Sequence, residues 1–169
     1  MSRGRGGGKL MRAALQYLRR AKKRTRPGRL PPRGLDHVFG GDVRPTKPKG
    51  SGYHYRPGGV DFPGRRLQPG SLSRNPRTGV YTAKPEFFDA QLDPPHGRWK
   101  PKAGNQGFST FFPDHWTPAQ VDAAIAGAFR NHTLVPGSTK VWRGTYGGVK
   151  IEGYLDPATG ALKHGWPLL

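Results

Sequence analysis

Residues 116–132 read WTPAQVDAAIAGAFRNH, and no other stretch constrains the fold of this chain so tightly. Thr117 is a good N-cap, Pro118 fits the first helical position, and Gln120 completes a capping box. Val121, Ala124, Ile125, Ala128 and Phe129 recur at i, i+3, i+4, i+7 and i+8, which predicts a helix with one apolar stripe turned to a core. Asn131 and the Pro136–Gly137 pair end it. The tail that follows, STKVWRGTYGGVKIEGYLDPATGALKHGWPLL, places the turn sequences TYGG and DPATG between short β-prone runs. That pattern predicts a three-stranded antiparallel meander. Upstream, GVYTAKPEFFD (79–89) and GFSTFFP (107–113) read as strands, and 56–79, rich in Gly, Pro and Arg, as an irregular surface loop. Helix first and sheet in the C-terminal half is an α+β arrangement.

How large a core such a chain can build is a matter of composition. Gly 26 and Pro 18 make about a quarter of the 169 residues, a level at which disorder becomes a serious reading. The aromatic content, 11%, is more than a disordered chain carries, so a small, loop-rich core is expected. Charge divides the chain. Residues 1–34 hold 12 of the 29 Lys and Arg and no acid, whereas all 10 acids fall in 35–169. Within the basic segment MSRGRGGG reads as disordered, KLMRAALQYLRRAKKR as a short amphipathic helix through Leu10, Met11, Ala14, Leu15 and Leu18, and TRPGRLPPRG as a linker. The expected organisation is a basic flexible or helical arm, 1–34, before a domain, 35–169. The arm could be solvated, could touch nucleic acid or membrane, or could be the remnant of a longer parent chain.

The formal charge of +19 points to a polyanionic partner. No apolar run approaches the length of a membrane span, and no secretory segment follows the basic start. Without cysteine, disulfides and thiolate chemistry are excluded, and no pair of histidines has a short metal-ligand spacing. His37 and His54 stand out among the histidines because they bracket one glycine-rich loop, HVFGGDVRPTKPKGSGYHY, that carries Lys47 and Lys49. Two imidazoles facing one phosphate can cleave RNA without metal, one taking the 2′-hydroxyl proton and the other protonating the departing 5′ oxygen. From spacing alone, two unrelated loop histidines explain the pattern equally.

HVFGGD followed by SGYH resembles the signature of EndoU-type endoribonucleases. STFFPDHWTPAQVDAAI is similar to the F-P-x-x-W strand-to-helix segment of the bacterial toxin branch, and DPATGALKHGWP resembles the closing hairpin of that family. The likeness runs through residues 35–169 in order. It implies an EndoU-like domain of the RNase A-like superfamily, with an N-terminal helical part and a C-terminal antiparallel sheet. It further implies an endoribonuclease, metal-independent or manganese-stimulated with no required cofactor, that leaves 2′,3′-cyclic phosphate and 5′-hydroxyl ends on RNA, tRNA included. His37 and His54 become general base and acid, in an order the sequence does not fix. Lys102 is the nearest candidate for the third catalytic residue, with Lys100 or Lys150 as substitutes, because Gly107 and Phe108 occupy the place of the family lysine. Ser109, His164 and Trp166 are expected to meet substrate, His164 and Trp166 standing where the family has Thr and Tyr. The resemblance also implies delivery as part of a larger effector, action in a target-cell cytoplasm, and a cognate immunity protein. The alternative is a non-catalytic, basic RNA-binding protein with the same fold.

Overall fold

The computed structural model describes the chain from Arg3 to Leu169, its side chains from Gly7 onward. Its helices are α1 (Arg3–Ala21), α2 (Pro32–Phe39) and α3 (Pro118–Arg130). Its strands are β1 (Arg65–Leu67), β2 (Ser73–Arg74), β3 (Tyr81–Ala83), β4 (Pro85–Asp89), β5 (Arg98–Pro101), β6 (Ser109–Phe111), β7 (Thr133–Leu134), β8 (Val141–Tyr146), β9 (Val149–Leu155) and β10 (Leu162–Pro167). They form three antiparallel sheets in the orders β1-β4-β5, β2-β3-β6 and β10-β9-β8-β7.

α3 and the C-terminal meander match expectation. Thr117 Oγ1 accepts from Gln120 N, and Gln120 Oε1 accepts from Thr117 N, so the capping box is complete. Val121, Ala124, Ile125 and Ala128 are fully buried, and Trp142 of β8 lies in the same core. β9 alternates cleanly, Val149, Ile151 and Leu155 facing in while Lys150 and Tyr154 face out. Gly153 completes the inner row, where a Cβ would lie 2.7 Å from the Trp142 indole. β7 adds a fourth strand to the meander by pairing with β8.

Elsewhere the structure corrects the expectation. Sheet begins at Arg65, well before the C-terminal half, because β1 and β2 form in the stretch read as loop. The run 79–89 divides at Lys84: β3 pairs β6 in one sheet and β4 pairs β5 in another. These strands are too short for alternation to reveal them.

The basic arm is folded rather than free. Met1 and Ser2 lie outside the described residues; from Arg3 the glycine-rich start is already helical. Gly7 is there for close approach, since a Cβ on it would lie 2.6 Å from Val60 Cγ2 and 3.1 Å from Gly58 O. Ala14, Ala21 and Leu30 join the common core, and Tyr17 stacks on Phe39. Fully buried Asp122 of α3 holds this segment: it accepts from Tyr17 at 2.6 Å, from Arg26, and from Arg29 at 3.3 Å. Burial and the Asp122 carboxylate push the Tyr17 phenol up to about 12. The PPRG read as linker instead opens α2, with Pro32 in its first turn.

Candidate active site

His37 sits on the last turn of α2, beside buried Val38 and Phe39. A helix that ends here leaves its final carbonyls without intrahelical partners. The carbonyls of His37 and Val38 accept instead from the backbone N–H groups of Tyr53 and His54, at 2.9 and 2.6 Å. This pairing sets the second histidine beside the first. It requires glycine at position 52, where a Cβ would lie 2.3 Å from His37 O. Tyr53 is itself left-handed at φ 74°, a strained conformation held by the complete burial of its ring among Phe62, Phe87 and Phe111.

Each ring has one nitrogen engaged by the protein. His37 Nδ1 lies 2.5 Å from Asp42 Oδ2, and His54 Nδ1 lies 2.7 Å from Thr110 O. Carboxylate and carbonyl oxygens only accept, so both Nδ1 atoms donate and Nε2 is the free nitrogen of each ring. Asp42 was not among the expected site residues, although it closes the HVFGGD run. Ser109 donates its hydroxyl to Tyr53 O at 2.6 Å and lies 3.1 Å from His54 Nδ1. At 1% exposure it backs the His54 ring at the wall of the cavity.

Paired backbone bonds between Asp42 and Ser51, 2.8 and 3.0 Å, close residues 43–50 into a loop. Lys100 clasps that loop from inside. Its ammonium donates to Arg44 O, Lys47 O and Asp89 Oδ2, each at 2.9 Å, and Asp89 accepts from Thr46 N at 2.8 Å. The Lys100 bond holds the Asp89 carboxyl below the usual carboxylate range. Lys100, 2% exposed, is therefore committed to structure and does not stand in for a catalytic lysine. Lys150 lines a different cavity, with Arg143 and Leu169. Gly50 in turn bonds Pro101 O and Ala103 N on either side of Lys102, which brings Lys102 to the histidines.

One cavity of about 460 Å³ gathers His37, His54, Lys102, Ser109, His164 and Trp166. His164 lies beside both histidines, its ring centroid 4.3 Å from that of His37 and 5.3 Å from that of His54. A register shift between Leu162 and His164 turns His164 and Trp166 to the outer face of β10, opposite Tyr154 and Glu152 of β9. Trp166 lies 4.8 Å from His164 and stacks near-parallel over His54 at 6.1 Å. Among the described residues, no group of three or more His, Cys, Asp or Glu is arranged to hold a metal ion.

Burial, then the Lys102 and His37 charges, hold the His54 ring well below the ordinary histidine range. Burial, then His54, His37 and Lys102, lower His164 in the same way, and burial lowers Lys102. A consequence for stability follows from linkage. The unfolded chain takes protons on these rings near pH 6.5, while the folded chain refuses them until lower pH, so protonation favours unfolding. The contribution is complete above about pH 6.5 and is lost as pH falls toward the depressed folded values. The denaturant midpoint is expected to drop from pH 7 to pH 5, and less steeply in His164→Asn. Equal slopes in the two proteins would show that His164 does not titrate this way.

A model of the family described as bacterial EndoU nuclease matches residues 32–169. The chain belongs to this family. The EndoU match begins at the first residue of α2 and takes in both histidines, the clasped loop, α3 and all four strands of the C-terminal sheet. The chain is also similar to a protein named Toxin from Bacillus cereus, 30% identical over 125 residues. That alignment covers 74% of this chain and 20% of the relative, so the chain spans about a fifth of the relative's length. No solved structure matches. In this chain α1 precedes the matched residues and is nevertheless packed on them through Tyr17, which reaches Asp122 and Phe39, while Arg26 of the following segment meets the same carboxylate. No helix of the described residues is long and apolar enough to cross a membrane.

Proposed function

We propose that the chain is an endoribonuclease toxin domain that cuts RNA by 2′-hydroxyl attack without a required metal. The observation carrying this reading is the convergence of His37, His54 and Lys102 on one cavity, with Nε2 free on both rings. His54, held neutral by burial, takes the proton of the 2′-hydroxyl on Nε2. The 2′ oxygen attacks phosphorus, the P–O5′ bond breaks, and His37 delivers its Nε2 proton to the 5′ oxygen. Asp42 pairs with His37 while that ring carries positive charge. Lys102 stabilises the charge gathering on the non-bridging oxygens. The products are a 2′,3′-cyclic phosphate and a 5′-hydroxyl. Arg44, Lys47 and Lys49, exposed on the clasped loop, attract the polyanion.

The name of the Bacillus relative, together with the family, supports action as a toxin. Such a toxin would be delivered into a target cell as part of a larger protein and neutralised in its producer by an immunity protein. Acidic surface on that partner would complement the net charge of this chain. The test of the chemistry is a digest of total RNA in excess EDTA, followed by end-group analysis. Cyclic phosphate and 5′-hydroxyl ends are expected. Ends bearing a 5′-phosphate would overturn the mechanism, and salt-sensitive RNA binding without any cleavage would leave a binding protein instead.

A further inference from the structure

Among the described residues that line the cavity Glu152 is the sole carboxylate, and the proposed reaction gives it nothing to do. A carboxylate repels a phosphodiester, so its place is on the base side of the substrate. Its neighbours agree. The cross-strand row on the outer face of the sheet runs Arg143, Glu152, Trp166, and Tyr154 packs edge-on against Trp166 at 5.0 Å. Arg143 Nε donates to Glu152 Oε2 at 2.6 Å, which biases the carboxylate orientation; among the described residues nothing donates to Oε1, and Oε2 keeps a second lone pair, so both oxygens can accept from a ligand. The pair is thus a pre-oriented acceptor beside two aromatic faces on which a base can stack. Because Trp166 also lies over His54, the stacked base belongs to the nucleotide whose 2′-hydroxyl His54 deprotonates.

Resting on that reading of the reaction, we infer that Glu152 is a specificity-determining residue selecting guanine, and disfavouring uracil, at the nucleotide supplying the 2′-hydroxyl. Guanine presents two adjacent donors, N1–H and N2–H, to a carboxylate. Cytosine and adenine present an amino group next to a ring acceptor. Uracil presents N3–H between two carbonyl oxygens that face the carboxylate with like polarity. A hydrogen bond to a charged acceptor discriminates by about tenfold or more. His164 and Trp166 shape the same pocket, but neither distinguishes a donor edge from an acceptor edge as a fixed carboxylate does.

The experiment digests a random-sequence RNA oligonucleotide pool with the full chain and sequences the ends of the products. Guanine is expected on the 5′ side of the cut bond at least about tenfold over uracil, and Glu152→Gln is expected to collapse that ratio. A second variant, Arg143→Met, releases the carboxylate without removing it and should weaken the preference while keeping its direction. Cleavage by wild type without guanine preference, or a ratio unchanged by Glu152→Gln, would overturn the inference and leave the nuclease reading standing. No cleavage of the pool at all would overturn both.

Discussion

Replacing His54 by asparagine is expected to lower RNA cleavage by about 10²- to 10⁴-fold, the range that one positioned general base supplies. Asparagine is the informative choice. Its amide nitrogen can take the place of Nδ1 and keep the bond to Thr110 O, while nothing replaces Nε2. Fold and function are then separable: an unchanged melting curve with lost turnover identifies Nε2 as the reacting atom. Alanine at the same position would also leave Thr110 O unpaired in a buried site, which costs stability in its own right. The pH profile distinguishes the roles of the two rings. Because His54 titrates well below the ordinary histidine range, the acidic limb of kcat/KM should fall below about pH 6.5. An acidic limb at or above that pH would move the base assignment to another group, and cleavage retained in His54→Asn would reject the base role altogether.

Asp122→Ala is expected to cost about 3–5 kcal/mol, the range for removing one partner of a buried ion pair. Asp122 is completely buried and receives Tyr17, Arg26 and Arg29, two of which lie in the segment preceding α2 and one on α1. Without it the Arg26 guanidinium, nearly buried itself, has lost its counter-charge. The effect should be visible in two places. The denaturant midpoint falls, and limited proteolysis cuts after the basic residues near 19–29 before the rest of the domain opens. Wild-type resistance at those positions is the matching control. A variant as stable and as protected as wild type would show that α1 is held by its apolar face alone.

Part of this molecule was legible before any coordinates. α3 declared its start through side-chain chemistry that acts within four residues, and its stripe is set by helical period, so Thr117, Gln120 and Val121 could be read directly. The three long strands of the final sheet were marked by turn sequences between short β-prone runs in the same local way. His37, His54, Lys102, Ser109, His164 and Trp166 were reachable through the ordered resemblance across 35–169, and they meet in one cavity.

What the sequence could not disclose depends on contacts between distant residues. Asp122 looks like any polar residue on a helix until Arg26, about a hundred positions away, folds onto it. Gly7 reads as flexible filler until Gly58 and Val60 leave no room for a side chain there. Lys100 passes for a catalytic candidate until three acceptors from a loop and a strand enclose its ammonium. Local propensity and pattern therefore determined the type of the strongest elements, and the family resemblance supplied the candidate site residues. Tertiary packing alone decided which charges are buried, which nitrogen of each ring is free, and whether a basic, glycine-rich start is an arm or a docked helix. Those outcomes follow from desolvation and hydrogen-bond partnership, and neither quantity exists until distant segments touch.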